Sequence, residues 1–274
     1  MILWFSGTGN SRYVAERLAA ELGQPLRRLG TELRGGSLTM PSGDTTVIWV
    51  CPVYSWGIPP YVRSIIQTLE INPLPAIHHL VLTCGDDCGL AADMWRKDLA
   101  ARSWRAGLAF SVTMPNNYVC MSGFDVDPQP LAEEKLSAAP QRILEIAGKI
   151  ASFSTTDGKI RTKAADDIIR GRFAWIKTRI IYPWFVRYAT SPKPFRHTNA
   201  CISCGKCAAI CPLRNISMQP APDTPSANDS RRRRYPQWQS DCAACLACYH
   251  VCPRHAVMYG GKTKDKGQYM NPLV

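Results

Sequence analysis

The sequence has no long apolar run and no recognisable leader, and these absences exclude several classes of protein. No stretch approaches the roughly 18 consecutive apolar residues of a membrane-spanning helix. The start, Met1 to Phe5 followed by Ser6-Gly-Thr-Gly9, lacks the charged region and the roughly 7–15-residue apolar region of a signal peptide. We therefore expect a cytoplasmic protein whose thiols stay reduced.

Neither charge nor apolar content is extreme. With 46% apolar and 20% charged residues, the composition is that of a globular protein and excludes collagen, disorder and a pure coiled coil. At roughly 100–200 residues per domain, 274 residues suggest about two domains. Lys and Arg number 33 against 21 Asp and Glu. This basic balance favours an acidic partner; no nucleic-acid recognition motif is present, so no nucleic acid is expected.

Cysteine is scarce in the first 200 residues and abundant afterwards, with eight of the 12 between Cys201 and Cys252. Residues 201–212 and 242–253 both have the pattern C-x2-C-x2-C-x3-C-P. Such a run holds a 4Fe-4S cluster through three close thiolates, while its fourth cysteine binds the other cluster. On this rule one cluster takes Cys201, Cys204, Cys207 and Cys252, and the second takes Cys242, Cys245, Cys248 and Cys211.

Two alternatives use the same cysteines. A disulfide framework needs an oxidising compartment, of which the sequence gives no sign. Zinc sites usually pair two short C-x2-C units, which two four-cysteine runs ending in Cys-Pro fit poorly. Residues 196–262 resemble the bacterial two-cluster ferredoxins, and the resemblance implies a small α+β domain.

The chain departs from those ferredoxins in the 30 residues between Cys211 and Cys242. Residues 220–230 are rich in Pro, Ser and Asn, which is typical of a solvated loop. Four arginines, Arg231–Arg234, follow. They are either a solvated charge run or a docking patch for an acidic redox partner.

The first half begins as strand, loop and helix. Ile2–Phe5 is a short apolar run that suits a buried strand, and an apolar helical face begins at Val14. Between them, Ser6-Gly-Thr-Gly-Asn-Ser11 offers backbone N–H groups, hydroxyls and a helix N-terminus to an anion. The loop is neither a Walker loop nor the G-x-G-x-x-G dinucleotide fingerprint.

The same pattern repeats along the next hundred residues. Apolar strands are predicted at Thr46–Val50, Leu80–Thr83 and Ala106–Met114, with a short one at Leu26–Leu29. Helical patterns separate them, so we predict an α/β fold with a doubly wound parallel sheet. Ligands bind such sheets at the carboxyl ends of the strands.

The loops at this edge suit flavin mononucleotide (FMN). Tyr54, Trp56 and Tyr118 offer flat faces to a flavin ring; the alternative is that they are core residues. The loop Ser6-Gly-Thr-Gly-Asn-Ser11 resembles the flavodoxin signature Thr/Ser-x-Thr-Gly-x-Thr/Ser; the third loop, which begins at Cys84, has no aromatic residue. The candidate FMN-binding residues are Ser6, Thr8, Gly9, Asn10, Ser11, Pro52, Val53, Tyr54, Ser55, Trp56, Gly57, Cys84, Gly85, Asp86, Asn117 and Tyr118.

Four cysteines lie outside the two runs. We expect Cys51 and Cys120 to be small buried hydrophobic residues. Cys84 and Cys88 flank the predicted flavin edge, where a redox-active pair is the alternative to the same structural role.

Residues 156–195 belong to neither pattern. Ile169, Phe173, Ile176, Ile180 and Trp184 have helical spacing and stand among arginines and lysines. A basic amphipathic helix can lie on a membrane surface or form a partner site. More often its apolar face packs one domain onto another, and this is the interpretation we favour.

The whole chain resembles the flavodoxin-ferredoxin fusion proteins, including its Met114-Pro-Asn-Asn-Tyr118 and Tyr269-Met-Asn-Pro272 segments. The resemblance implies a flavodoxin-like domain at 1–155, a connecting segment at 156–195, a two-cluster ferredoxin domain at 196–274, and FMN with two 4Fe-4S clusters. We expect an electron-transfer protein that converts two-electron and one-electron steps for an acidic redox partner. No catalytic residues are evident; the alternative is a flavin-dependent reductase of a small acceptor, supplied with electrons through the clusters.

Overall fold

The computed structural model describes residues 1–43, 45–75, 77–153, 166–220 and 233–274. These residues form two compact units that interleave along the chain. The boundary predicted at 155/156 lies outside the described residues. The first unit comprises Met1–Asn116, Asp127–Val186 and Asn271–Val274, and the second comprises Asn117–Val126 and Arg187–Met270.

The first unit is built on a parallel sheet of five strands in the order β2-β1-β4-β6-β7. Counting only the strands of this sheet, the order is 2-1-3-4-5, which is that of flavodoxin-like folds. The predicted doubly wound sheet is therefore confirmed. A separate parallel pair, β3 and β5, was not predicted. The strands are β1 (Ile2–Trp4), β2 (Leu26–Arg28), β3 (Ser37–Thr39), β4 (Thr46–Pro52), β5 (Glu70–Asn72), β6 (Ile77–Cys84) and β7 (Ala106–Thr113).

Four helices accompany this sheet: α1 (Asn10–Leu22), α2 (Pro60–Thr68), α3 (Ala91–Ala100) and α4 (Gln129–Ala151). Strands β4 and β6 are buried on both faces, which explains why they are apolar almost throughout. On one face, Val14 of α1 and Ile143 of α4 share a core cluster with Val50, Val81 and Phe110.

Residues 166–169 extend the sheet edge beside β7. The N–H of Asp167 donates to the carbonyl of Ala109 (2.9 Å), and the carbonyl of Asp167 accepts from the N–H of Ser111 (3.1 Å). The carbonyl of Ile169 accepts from the N–H of Cys88 (2.8 Å). These bonds carry the chain from the sheet edge to the third loop.

A helical stretch follows, consisting of α5 (Ala174–Ile176), a π-helical turn (Lys177–Ile181) and α6 (Tyr182–Tyr188). Hydrogen bonds hold its inner side: the Thr178 hydroxyl donates to the carbonyl of Trp56 (2.7 Å), and the Tyr182 hydroxyl donates to that of Ile58 (2.6 Å). Phe185 is also buried.

The apolar side of this stretch faces solvent. Ile169, Phe173, Ile176 and Ile180 are 48%, 67%, 45% and 57% exposed. The packing interpretation of the connecting segment required these side chains to be buried, so it is wrong for this face. The physical reason is that the hydroxyl groups of Thr178 and Tyr182 attach the opposite side of the stretch to the carbonyls of the second loop and the residue after it.

The second unit has an internal repeat with a period of 41 residues, the separation of Cys201 and Cys242. Two short helices, α7 (Lys206–Ile210) and α8 (Ala247–His250), occupy equivalent places after the second cysteine of each run. Two antiparallel strand pairs complete the predicted small α+β ferredoxin fold: β8 (Phe195–His197) with β11 (Val257–Tyr259), and β9 (Ile216–Pro220) with β10 (Arg234–Trp238). Among the described residues, no helix has the length and apolarity to cross a membrane.

Candidate cofactor sites

Two cavities in the second unit are each lined by four cysteines. The first has a volume of about 350 Å³ including its open side, and the second about 320 Å³. Each draws three cysteines from one run and the fourth from the other run, as the sequence predicts for cluster ligands. The first is lined by Cys201, Cys204, Cys207 and Cys252, and the second by Cys211, Cys242, Cys245 and Cys248.

The sulfurs of each set act on one another electrostatically. Burial and the neighbouring sulfurs of Cys201, Cys252 and Cys204 raise the pKa of Cys207 to about 11. Burial raises the pKa of Cys245 to about 12, with smaller contributions from the neighbouring sulfurs of Cys242 and Cys211. Without cations, these thiols remain protonated at neutral pH, so iron must displace their protons when it binds.

The backbone around the two cavities repeats an unusual conformation. Ser203 and Ala244 are left-handed, with φ of 58° and 52°, as are Gly205 and Leu246 at 72° and 59°. A left-handed residue turns the N–H groups that follow it toward a concave site, which suits an anionic cluster. Of these four residues only Gly205 is of a type that favours a left-handed conformation, so the sequence gives no sign of it at Ser203, Ala244 and Leu246.

Backbone N–H groups also donate to cysteine sulfurs at equivalent points of the repeat. Asn215 donates to Sγ of Cys211 (3.3 Å), and Ala256 donates to Sγ of Cys252 (3.2 Å). These are the fourth cysteines of the two runs. Hydrogen bonds of this kind favour the anionic form of a ligated sulfur and raise the potential of its cluster.

The first loop of the flavodoxin-like unit is buried and tightly bonded. Thr8 and Ser11 are each 1% exposed. The Ser11 hydroxyl shares a 2.7 Å hydrogen bond with the hydroxyl of Thr83, and the N–H of Gly9 donates to the hydroxyl of Ser6 (3.1 Å). No acidic residue stands in the first turn of α1, so the N-terminal N–H groups of this helix remain favourable for an anion.

Asn271 closes over this loop, and sequence analysis missed its role. Its backbone N–H donates to the carbonyl of Thr8 (2.8 Å), and its side-chain amide donates to Oδ1 of Asn10 (3.1 Å). Asn10 in turn donates to the carbonyl of Pro115 (2.9 Å). Only the Asn-Pro pair near the end of the sequence could have indicated a turn here.

The second loop is a tight turn. Ser55 and Trp56 have φ of 45° and 63°, and Tyr54 and Gly57 exchange backbone hydrogen bonds of 2.9 and 3.0 Å. Lys177 lies over the indole of Trp56, 4.9 Å from the ring centroid. One face of Trp56, a predicted flavin contact, is therefore covered by a cation from the helical stretch. Pro52 and Val53 lead into the turn from β4.

The third loop joins β6 to α3 and is held on both sides. Asn116 lies so close to Gly85 that a Cβ there would fall 1.8 Å from the Asn116 Oδ1. Asp87, next to the predicted Asp86, accepts from Nζ of Lys177 (2.6 Å). Cys84 and Cys88 are buried, and a hydrogen bond with Cys84, together with burial, raises the pKa of Cys88. A buried thiol with a raised pKa is a poor nucleophile, which favours a structural role for Cys88.

The remaining predicted residues lie in the second unit. Asn117 accepts a hydrogen bond of 2.7 Å at its carbonyl from the ring of His250. Tyr118 packs on the core of this unit, edge to face with Phe124 at 5.8 Å between ring centroids. Cys51 and Cys120 are buried at 1% and 2% exposure, as small core residues would be. In the arginine run, Arg231 and Arg232 lie outside the described residues, while Arg234 donates to the carbonyl of Met218 (3.0 Å).

The second unit matches a known protein family. Residues 200–257 match the family model of the 4Fe-4S dicluster domain. No curated protein matches the chain. This match supports an iron-sulfur domain in the second unit. It does not cover the first unit, whose fold is assigned from its strand order.

Several solved structures are similar to the chain at low identity. A flavodoxin of Streptococcus pneumoniae TIGR4 is 15% identical, with 55% of this chain and 96% of that chain covered and a TM-score of 0.34. The rubredoxin oxygen:oxidoreductase of Desulfovibrio gigas is 13% identical, with 56% and 36% covered and a TM-score of 0.30. The NAD(P)H:quinone oxidoreductase of Methanothermobacter marburgensis is 10% identical, with 53% and 94% covered and a TM-score of 0.28.

The flavodoxin-like fold itself rests on the order of the five parallel strands. The chain thus joins a flavodoxin-like fold to a 4Fe-4S dicluster domain, the combination found in the flavodoxin-ferredoxin fusions that it resembles. An iron-sulfur domain of this kind gives the protein a redox role.

Proposed function

We propose that the protein transfers electrons between FMN, held by the first unit, and two 4Fe-4S clusters, held by the second, and exchanges them with an external redox partner. The observation that carries the proposal is the pair of cavities, each lined by four cysteines from both runs. When bound, FMN would supply two-electron chemistry and the clusters one-electron steps. The chain's own residues hold these groups and set their potentials.

The cysteine sets fit a cubane better than a single ion. Within the described residues, no three His, Cys, Asp or Glu side chains converge on a point that could hold one metal ion; the cysteines surround cavities instead. We assign Cys201, Cys204, Cys207 and Cys252 to the first cluster, and Cys211, Cys242, Cys245 and Cys248 to the second. The N–H groups of Asn215 and Ala256 would favour the reduced form of the cluster that each adjoins.

The first loop fits the phosphate of FMN. Its glycine Gly9 is left-handed at φ 100° and leads directly into α1, whose first N–H groups lack partners within the helix. Trp56, on the second loop, would face the ring. Lys177 lies over the indole of Trp56 and is paired with Asp87, so it would hold the Trp56 ring in place beside the flavin.

The partner that we propose is an acidic redox protein. Lys206 and Arg254 are exposed and line the same cavity as Cys204, which is itself exposed. Two cations beside an exposed ligand provide a point of approach for a negatively charged carrier. Lys206→Gln/Arg254→Gln should slow reduction by an acidic ferredoxin at low salt and leave the rate with dithionite unchanged.

The decisive experiment measures iron, sulfide and flavin per chain on protein purified without oxygen. About eight iron atoms and one FMN per chain are expected for the proposed cofactor set. About eight irons without flavin would remove FMN from the proposal. Steady turnover of a small acceptor, lost when flavin is removed, would favour the reductase instead of the carrier.

A further inference from the structure

The helical stretch 173–186 is firmly anchored on one side and apolar on the other. Thr178 and Tyr182 hold it through the carbonyls of Trp56 and Ile58, and Lys177 holds it through Asp87 (2.6 Å). A loosely attached helix could turn its apolar residues inward, but this one is fixed by buried polar contacts. Its outward side chains, which we call the exposed apolar face, are Phe173, Trp175, Ile176 and Ile180, at 67%, 62%, 45% and 57% exposure.

Positive charge surrounds this face. The chain has no Asp or Glu from residue 168 to residue 222. Arg170 and Lys177 are paired with Asp93 and Asp87. Arg172 and Arg179 are exposed and form no ion pair with any residue that the structure describes. Within the part of the chain that the structure describes, two cations therefore stand beside the exposed apolar face without an ionic partner.

We propose that the exposed apolar face, with Arg172 and Arg179, binds the surface of a membrane rich in anionic phospholipid. Arginines bind lipid phosphates, and aromatic and branched side chains enter the headgroup and acyl boundary. Tryptophan is enriched at that boundary because its ring is apolar and its N–H is polar. This binding is peripheral and does not depend on the proposed electron transfer.

The observations favour lipid over an acidic protein as the occupant. A protein docking surface usually has a rim of hydrogen-bond donors and acceptors, whereas the segment that carries this face has no acidic residue from 168 to 222. Here Phe173, Trp175, Ile176 and Ile180 lie within eight residues of one another, with arginine as the charged neighbour. An apolar strip beside unpaired cations matches the layered chemistry of a lipid surface, with phosphate outside and hydrocarbon beneath.

Vesicle flotation of the intact holoprotein tests the proposal. We expect flotation with vesicles of phosphatidylcholine and phosphatidylglycerol (about 7:3) at low salt, and much less with phosphatidylcholine alone. Arg172→Gln/Arg179→Gln should weaken binding about 25-fold, since each charge near an anionic surface is worth about fivefold. Trp175→Ser should weaken it by about tenfold or more through lost apolar burial.

Matched variants elsewhere in the first unit serve as controls. Leu74→Ser alters another exposed apolar residue, which is 59% exposed. Arg17→Gln/Lys97→Gln removes an equal number of positive charges, one from α1 and one from α3. These variants should float like the original protein. Iron content and the visible spectrum should be the same in all variants, which separates lost binding from lost folding.

Three results would overturn the proposal. The first is a holoprotein that does not float with anionic vesicles at low salt. The second is flotation that Trp175→Ser and the double arginine variant leave unchanged, because the lipid site would then lie elsewhere. The third is loss of binding to an acidic redox protein in these variants without any lipid binding, which would make the surface a protein-docking site.

Discussion

The backbone N–H of Asn271 donates a 2.8 Å hydrogen bond to the carbonyl of Thr8, which joins two segments from near opposite ends of the sequence. The Asn271 side chain is 3% exposed and adds bonds to Asn10 (3.1 Å) and to the N–H of Leu273 (2.9 Å). The loop proposed to hold the FMN phosphate thus has its conformation fixed by a residue that follows the ferredoxin unit.

Replacing Asn271 should weaken flavin binding without affecting iron. Asn271→Ala removes two side-chain hydrogen bonds from a buried position, and we expect the FMN dissociation constant to rise about 5- to 30-fold. Flavin fluorescence titration measures this change. Gln268→Ala is the matched control: Gln268 donates to the carbonyls of Tyr249 (2.6 Å) and Cys252 (2.9 Å), so its loss should reduce iron retention and leave flavin affinity unchanged. Equal flavin affinity in the two variants would contradict the expectation.

Gly9→Ala should also weaken flavin binding, by at least about tenfold. Gly9 has φ 100°, and a Cβ there would lie 2.7 Å from Cγ2 of Val274 and 2.9 Å from Cβ of Asn271, so the loop or its cover must shift. Gly23→Ala is the control that separates backbone strain from steric contact. Gly23 is also left-handed, at φ 60°, but a Cβ added there would have no atom within 4 Å. This variant should cost about 1 kcal/mol of unfolding free energy and leave FMN affinity intact. Both quantities can be measured by urea unfolding and flavin titration on the same samples.

Crossed ligation predicts which thiols become reactive when one ligand is removed. In Cys211→Ser, the thiols of Cys242, Cys245 and Cys248 should be alkylated by iodoacetamide under native conditions, with about half of the iron lost. Cys201 and Cys204 should stay protected. Cys252→Ser is the mirror control and should expose Cys201, Cys204 and Cys207 instead. Mass spectrometry of the alkylated peptides decides the matter: exposure of Cys201 in Cys211→Ser would refute the assignment.

Acid should destabilise the first unit through two buried histidines of β6. Burial lowers the pKa of His78 to about 3 and that of His79 to about 4, with further lowering from His79 and Arg96 respectively. Nδ1 of His78 accepts from the indole N–H of Trp49 (3.1 Å), and Nδ1 of His79 accepts from the N–H of Leu108 (3.0 Å). Both rings are therefore neutral when folded.

The unfolded chain binds protons below its histidine pKa of about 6.5, while the folded unit does not until about pH 4. The unfolding free energy should thus be constant above neutral pH and fall as the pH drops from about 6.5 to 4, by up to about 2 kcal/mol per histidine at pH 5. Urea unfolding at pH 7 and pH 5 measures the fall. His79→Asn keeps a hydrogen-bond acceptor for Leu108 and cannot titrate. In this variant the fall in unfolding free energy between pH 7 and pH 5 should therefore be smaller by the contribution of one histidine. An unchanged fall in this variant would exclude His79 as a source.

Much of the fold could be predicted from local sequence patterns. Strands β4, β6 and β7 are buried on both faces, so their apolar runs stand out, and the glycine-rich loop before α1 marks the carboxyl edge of the sheet. The two cysteine sets follow from the spacing of the two runs together with the known rule that the fourth cysteine of such a run binds the other cluster. Short strands such as β3 and β5 were missed because three residues carry too little periodicity.

Other features depend on contacts between distant residues, which spacing does not encode. Asn271 and Asn10 are separated by 261 positions. The orientation of the 173–186 stretch was misjudged because its apolar spacing dominated the pattern, whereas Thr178, a small polar residue, fixes its inner side. Ala244 and Leu246 are residue types that ordinarily favour a helix, so the sequence gives no sign of the left-handed conformation that they adopt.

The exchange of the fourth cysteine between the two halves of the 41-residue repeat has a consequence for assembly. Neither half brings four cysteines to its own cavity, since Cys211 and Cys252 each line the cavity of the other half. A nascent second unit therefore cannot complete one site before the other half has been made and has folded beside it. Under limiting iron, the population should divide into empty and fully loaded molecules, with few singly loaded ones, and iron loading should be cooperative.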